Sequence, residues 1–161
     1  MKGVLCWIFC VMGFLLIPGW GAARNDGPFI GLHPEGAAEE GARMVQPDVV
    51  NGQKVFFRIS PEVSGRHFST YEPFPAQDGN GMGVVLGLNE EGMRAMMVLC
   101  STFQGKLLRI IVNGRPVDLV SVDRPPADRK VVILSGLTAE DFKLFDKSKK
   151  LKRLGVVTGK E

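Results

Sequence analysis

The sequence predicts an α+β domain in which two helices cover one face of a mostly antiparallel sheet. Three observations predict this class. Residues 83–147 alternate strand-like and helix-like patterns in the order strand, helix, hairpin, strand, helix. An Asn-Gly dipeptide between two apolar runs marks the hairpin, and a capping residue precedes each helical pattern. We therefore expect a ferredoxin-like sandwich or half of one.

The first of these elements is a strand over residues 83–88, followed by a helix that Asn89 caps. Glu90 and Glu91 lie in the first turn of this helix, where the helix dipole favours negative charge. Four apolar side chains follow at helical spacing and predict one buried face. They are Met93, Met96, Met97 and Cys100.

The hairpin and the second helix follow the same logic. Residues 107–112 and 117–122 flank Asn113-Gly114, a dipeptide that tolerates the positive φ values of a tight turn. Residues 130–134 predict the next strand, and Thr138 with Asp141 forms a variant capping box at the start of the second helix. Residues 154–158 predict a last edge strand.

The segments before residue 83 are less regular. Residues 24–51 are rich in Gly, Pro and small residues and predict a flexible lead-in, which leaves residues 52–161 as a single α+β domain. Residues 53–59 predict a short strand. Residues 60–83 gather prolines and glycines around three aromatic residues and predict an ordered loop.

The N-terminal 23 residues resemble a secretory signal peptide. Lys2 precedes an apolar run of about 14 residues, shorter than the roughly 20 that span a bilayer as a helix. Gly21, Ala22 and Ala23 are small residues suited to signal peptidase. We expect cleavage after Ala23 and a periplasmic or secreted location, with an uncleaved membrane anchor as the alternative.

Composition restricts the function further. Of the 20 basic residues only Lys2 lies in the predicted signal, so 19 remain against 17 acidic residues. This balance gives no reason to expect a nucleic-acid partner. Cys100 is the one cysteine after residue 23, so no internal disulfide is predicted and stability must come from packing.

The residues that could carry chemistry do not form a catalytic or metal-binding pattern. The segment that begins at Asp78 looks like a calcium loop, but Met82 and Asn89 stand where ligands are needed. His33 and His67 are far apart in the sequence and have no Cys or carboxylate cluster beside them. We therefore predict no cofactor, no metal and no enzyme. The alternative is a small secreted hydrolase that uses His67 with Cys100 or a serine.

Two stretches are candidates for contact with a partner. The aromatic side chains of the loop 60–83 either line a groove for an extended peptide beside a sheet edge or pack onto the sheet themselves. The five cations after the second helix either contact anionic lipid or an acidic partner, or form a solvated helix end. The candidate partner-binding residues are Phe68, Tyr71, Phe74, Lys147, Lys149, Lys150, Lys152 and Arg153.

Residues 83–147 resemble the periplasmic head region of SecD, a subunit of the bacterial Sec translocase. LNEEGMRAMM is similar to the family's L-D-x-x-G helix opening, and residues 105–117 follow its G-K-x-L-x-I-x-V-x-G-x-x-V pattern. Residues 133–142 match I-x-G-x-x-T-x-E-x-x with one residue fewer before Thr138. The family's Asp-Gly turn is Asn113-Gly114 here, and its small-Pro pair after the hairpin and its transmembrane helices have no counterpart in residues 24–161.

The resemblance implies a detached, exported head-like domain. In the translocase this region is thought to contact emerging polypeptide. The sequence therefore predicts a non-enzymatic binding or accessory domain for a polypeptide or an envelope protein. A module held at an anionic membrane surface by residues 147–153 is a further alternative.

Overall fold

The computed structural model describes residues 29–154 and places ten strands and two α-helices within them. The strands are β1 (Ile30–Gly36), β2 (Val45–Val50), β3 (Gln53–Arg58), β4 (Val63–Ser64), β5 (Phe68–Pro75), β6 (Met82–Leu88), β7 (Leu107–Val112), β8 (Arg115–Ser121), β9 (Lys130–Leu137) and β10 (Lys152–Arg153). The helices are α1 (Glu90–Thr102) and α2 (Ala139–Lys147). The predicted signal peptide and most of the predicted last strand, 154–158, lie outside the described residues.

The first sheet has the order β2-β3-β1-β7-β8, and β4 also pairs with β1. The prediction of a flexible lead-in is wrong for residues 30–50, because they form β1 and β2. β1 lies in the middle of this sheet, antiparallel to β7, and Ile30 and Leu32 are each 1% exposed. Alternating apolar side chains outweigh Gly31 and Pro34 here, because every second residue of the strand enters the core.

The second sheet has the order β10-β5-β6-β9, in which β10 runs parallel to β5 and the other pairs are antiparallel. The predicted ordered loop at 60–83 contains β5, a strand of eight residues. Pro73 and Pro75 made this strand unrecognisable in the sequence, because proline is rare inside strands. Both lie in register positions of β5 whose backbone nitrogens point away from β6, so neither removes a bond from that pair.

The structure is mixed α+β with mostly antiparallel sheets and two helices, as the sequence predicts. The expectation of one ferredoxin-like sheet is not met, because the strands divide between two sheets. β6 and β7, which flank α1, belong to different sheets, and so do the successive strands β8 and β9. The two sheets come close where Gly136 of β9 lies beside the backbone of Val117.

The turns and caps agree with the sequence. Asn113 and Gly114 adopt φ values of 50° and 81°, as the tight β7–β8 turn requires. The Asn89 side chain accepts a 2.7 Å hydrogen bond from the Gly92 amide at the start of α1. At the start of α2, Thr138 and Asp141 form the predicted capping box.

The core lies between the sheets and the helices. α1 contributes Met96, Leu99 and Cys100 to it, whereas Met97 is 53% exposed, contrary to the prediction that Met97 shares the buried face. α2 contributes Phe145, which packs edge-to-face on Tyr71 of β5. This contact places α2 on the inner face of the second sheet.

Candidate functional site

Two of the three predicted aromatic contact residues belong to the core. Phe68 is 1% exposed and Tyr71 is fully buried. The Tyr71 ring packs against Phe145, and its hydroxyl donates a hydrogen bond to Asp146. Burial and this hydrogen bond raise the pKa of Tyr71 to about 12. Phe74 is half-buried and is not part of the core cluster, so it is the aromatic residue of β5 that remains for a partner.

Phe74 lies on what we call the outer face, the side of the second sheet opposite Tyr71 and α2. Side chains alternate along a strand, so every second residue of β5, β6 and β9 lies on this face. In the middle row Glu72, Val85 and Val132 are partners across three strands. Val132 and Leu134 are 46% and 66% exposed. The apolar patch of the outer face thus comprises Phe74, Val85, Val132 and Leu134.

A glycine keeps this patch flat. Gly83 is the partner of Phe74 in the β5–β6 register, and the Phe74 ring occupies the space where a Cβ on Gly83 would stand. The ring therefore lies across β6 instead of projecting from the sheet. A flat apolar surface on a hydrogen-bonded sheet is preorganised for contact with another chain, because little side-chain entropy is lost on binding.

One end of the outer face is basic. Lys152, Thr70, Gly87 and Lys130 form a row across all four strands of the second sheet, and both lysines are exposed. Glu72 of the middle row is the carboxylate closest to them in the register. The structure therefore places Phe74 and Lys152, two of the eight residues that the sequence nominated, on the same face of the sheet, at opposite ends of it.

The other predicted cations do not share this face. Lys147 ends α2, and Lys149 and Lys150 lie in the turn that follows it. Leu151 is buried and interrupts the stretch. Arg153 is opposite Tyr71 in the register and so points to the other side of the sheet from Lys152. The five cations are exposed but do not form one surface.

His67 is positioned by the start of α1 and not by a nucleophile. Its Nδ1 accepts a 3.0 Å hydrogen bond from the Ser64 backbone amide, and its Nε2 lies 3.0 Å from the Arg66 Nε, which donates to it, and 3.6 Å from a Glu91 oxygen. Burial and the nearby Arg66 lower the pKa of His67. The Ser64 hydroxyl takes no part in this bond.

Cys100 of α1 lies far from His67, which is in the turn of residues 65–67 and contacts the start of that helix. The His67 carbonyl touches α1 at Gly92, and Cys100 comes eight residues later, about 12 Å along the helix axis. Burial, with the nearby Asp123, raises the pKa of the Cys100 thiol, so the nucleophilic thiolate is disfavoured. The structure does not bring these two residues together.

Two concave regions went unnoticed in the sequence. A groove of about 560 Å³ runs between β2 and β8, with Arg109 on its floor. Arg109 is 9% exposed, lies 4.6 Å from the centre of the Phe57 ring and donates to Asp48 at 3.1 Å. Because its guanidinium already has a carboxylate and Asp118 adds another, the charge of the groove selects no class of ligand.

The second region is a cleft of about 190 Å³ between β8 and β9. Leu32, Leu99, Cys100 and Ile110 are among its apolar lining residues, and charged residues stand at its rim. Both concave regions are lined by segments that are distant from one another in the sequence, so no local pattern could have indicated them.

Among residues 29–154 there is no group of three or more His, Cys, Asp or Glu placed to hold a metal ion. Over the same range no helix is long and apolar enough to cross a membrane.

No family model matches the chain, and no curated protein sequence matches it. Among solved structures, it is similar to SecDF in its super-membrane-facing form, with 15% identity and a TM-score of 0.47. It is also similar to SecDF described as a membrane component that enhances protein export, with 14% identity and a TM-score of 0.49. The matches cover 74% and 75% of this chain but only 18% and 60% of those chains.

Proposed function

We propose that this chain is a non-enzymatic, exported binding or accessory domain that contacts a polypeptide or an envelope protein through its outer face. The observation that carries the proposal is the apolar patch of Phe74, Val85, Val132 and Leu134. Val132 and Leu134 are exposed and Phe74 and Val85 are half-buried beside them, and contiguous apolar side chains that reach solvent on a rigid sheet are typical of contact surfaces. The resemblance of residues 83–147 to the SecD head region supports the same class of function.

The size of the patch favours a transient partner. Three neighbouring strands span about 10 Å, and the two rows of the patch lie about 7 Å apart along a strand. A stable protein–protein interface needs about 800 Å² on each partner, several times more than this patch supplies. A short segment of a polypeptide fits it better than a permanent subunit.

The surroundings of His67 and Cys100 support a binding role over hydrolysis. His67 hydrogen-bonds a backbone amide, and Cys100 is a buried thiol two helical turns or more away. A general base must lie within hydrogen-bond reach of its nucleophile, directly or through one water, and these two residues do not.

Photocrosslinking in intact cells tests the proposal. A photoreactive residue at Leu134 of the outer face should capture a partner. The same residue at Val98, which is 59% exposed on α1 and therefore a matched control, should not. Equal adducts from both positions, or none from either, would contradict a role for the outer face.

Export is part of the proposal and has its own measurement. Mass spectrometry of the purified protein should find an N-terminus at Arg24, and fractionation should place the chain outside the inner membrane. If the basic residues 147–153 held it at a lipid surface instead, high salt would release it from membranes.

A further inference from the structure

We propose that the edge of β9 at Val132 accepts an extended polypeptide segment as an added strand, which would lie along the mouth of the cleft between β8 and β9. This inference deepens the proposed function and rests on it. It follows from a comparison of the strand edges in residues 29–154, because the edges of β2, β5 and β8 carry blocking features that β9 lacks at Val132.

The edge of β2 is closed. The pairing of β2 with β3 points the backbone nitrogens of Val45, Pro47 and Val49 away from β3. Val45 donates to the Gly41 carbonyl, and Pro47 has no amide hydrogen. Val49 donates to the side chain of its own neighbour Asp48 at 2.8 Å. No outward amide is left in this strand for another chain.

The edge of β8 uses the same two devices over residues 116–119, whereas the outward amide of Ser121 carries no such block. Pro116 removes one outward amide, and the Asp118 side chain accepts a 2.8 Å hydrogen bond from the outward amide of Leu119. Proline and a carboxylate beside the strand also discourage edge-to-edge pairing in general.

The edge of β5 is closed in a related way. The Tyr71 carbonyl accepts a hydrogen bond from the amide of Leu154, the residue that follows β10. The two further outward positions of β5 are Pro73 and Pro75.

The edge of β9 is closed at its first residue and again at Gly136, which lies beside Val117 of β8 and whose carbonyl accepts from Arg115. The Lys130 amide donates to Asp128 at 3.2 Å. In the β6–β9 register Val131 and Ile133 face β6, so the amide and the carbonyl of Val132 both point away from it. Neither group has a partner among the described residues. Val132 can therefore exchange two hydrogen bonds with an added strand.

The surroundings of this edge indicate what would bind. An added strand directs alternate side chains to opposite sides. One set would enter the cleft over Leu99 and Ile110, and the other would lie on the outer face beside Val132. Arg124 and Lys130 stand at the rim of the cleft, with Asp123 as the one carboxylate among its lining residues. The occupant is thus an extended polypeptide segment with alternating apolar residues and an acidic residue next to them.

The test uses the chain from Arg24 to Glu161 and a fluorescent peptide of alternating Val and Thr that ends in two Asp residues. Binding is measured by fluorescence anisotropy. Val132→Pro removes the outward amide without removing a bond to β6 and should weaken binding about tenfold or more, since two hydrogen bonds are lost or distorted. Val132→Ala keeps the amide and is the matched control for the side chain, with an expected loss of a few-fold. A peptide N-methylated at the paired residue should bind the native chain as weakly as the native peptide binds the proline variant.

The outcomes separate the two proposals. If Val132→Pro and the N-methylated peptide bind normally while Leu134→Asp abolishes binding, strand addition is wrong and contact through the outer face stands. If none of these changes affects binding, both proposals fail. Sedimentation velocity tests whether a second copy of the chain occupies the edge instead. A dimer that Val132→Pro dissociates would show that it does and would overturn the inference. Circular dichroism confirms that each variant is folded.

Discussion

At the residue scale, Asp141 joins α2 to the β7–β8 turn. It is 4% exposed and accepts hydrogen bonds from Asn113 at 2.8 Å, from Arg115 at 2.6 Å and from Thr138. Burial alone would raise the pKa of this carboxyl, but the hydrogen bonds from Asn113 and Thr138 and the charge of Arg115 outweigh it and lower the pKa. The capping box read from the sequence is therefore half of a larger network.

This network gives Asn113 a role in the turn that Asp could not fill, because the Asn113 side chain donates to Asp141. Asn113→Asp would place a second carboxylate against Asp141, so we expect the free energy of unfolding at pH 7 to fall by about 1–3 kcal/mol. The loss should shrink toward pH 4, where the new carboxyl becomes protonated and can donate. Urea denaturation at pH 7 and near pH 4 measures the two losses in the free energy of unfolding.

Asn51→Asp is the control for this substitution. Asn51-Gly52 forms the β2–β3 turn with φ values of 50° and 77°, and Asn51 is exposed. Because Asp-Gly suits the same turn, this variant should change stability by no more than about 0.5 kcal/mol. An equal loss from both variants would place the effect in the turn conformation and not in Asp141.

The raised pKa of Tyr71 predicts that the folded chain loses stability at high pH. Its pKa is raised from 10.0 to about 12 in the folded chain, so the stabilisation is complete below pH 10 and disappears as the pH rises through about 12. The difference corresponds to about 2 to 3 kcal/mol. Tyr71→Phe should remove this part of the pH dependence. An ordinary value near 10 for the Tyr71 hydroxyl, measured by NMR, would contradict the buried bond to Asp146.

At the scale of elements, α1 shows how far periodicity reaches. Its start, its cap and its amphipathic character follow from the sequence, but the stripe of Met93, Met96, Met97 and Cys100 is rotated from the buried one. Leu99 is 1% exposed and Met97 is 53% exposed. Spacing of three and four residues fits two neighbouring stripes of the helix surface equally well. Packing of α1 against β4 and against the 3-10 turn of residues 65–67 decides which stripe is buried.

The two methionines form a matched pair for a test of this stripe. Met96→Ala should lower the free energy of unfolding by about 2–4 kcal/mol, because a buried side chain leaves a cavity. Met97→Ala should change it by less than about 0.5 kcal/mol. Thermal unfolding of the two variants gives the comparison, and similar losses would contradict the orientation of α1.

Local sequence patterns did not predict the strands β1, β2 and β5, for a different reason. Their prolines and glycines are typical of loops, and they become strands because their partner strands supply hydrogen bonds and burial. For β1 the partner β7 is distant in the chain, whereas β2 and β5 pair with the next strand along it. One signal was available and not used. Asn51-Gly52 is the same hairpin dipeptide as Asn113-Gly114, and it joins β2 to β3.

The residues of the candidate site likewise divide into those that the sequence indicated and those that only the packing of the strands reveals. Phe74 and Lys152 were found because aromatic and basic residues stand out in a sequence. Val132 and Leu134 were not, because an apolar residue in a strand is ordinarily buried. Their exposure depends on the order of the strands, which places nothing over the outer face among the described residues.

At the scale of the whole molecule, the early residues complete the first sheet. β1 stands between β3 and β7, so the domain cannot be residues 52–161 alone. A chain that begins at Asn51 would lose the central strand and expose Leu108 and Ile110 of β7. We expect it to unfold without a cooperative transition, whereas the chain that begins at Arg24 should unfold cooperatively, as followed by circular dichroism in urea. Cooperative unfolding of the shorter chain would show that the first sheet does not need β1.

The contact between Tyr71 and Asp146 also gives the fold an optical signature. Tyr71 is the only tyrosine, and both tryptophans, Trp7 and Trp20, precede Arg24. In a chain that starts at Arg24, Tyr71 is thus the only strong near-ultraviolet emitter. A carboxylate that accepts the phenol hydrogen bond quenches that emission. Separation of β5 from α2 would therefore brighten the protein, and this single junction can be followed in real time without a label.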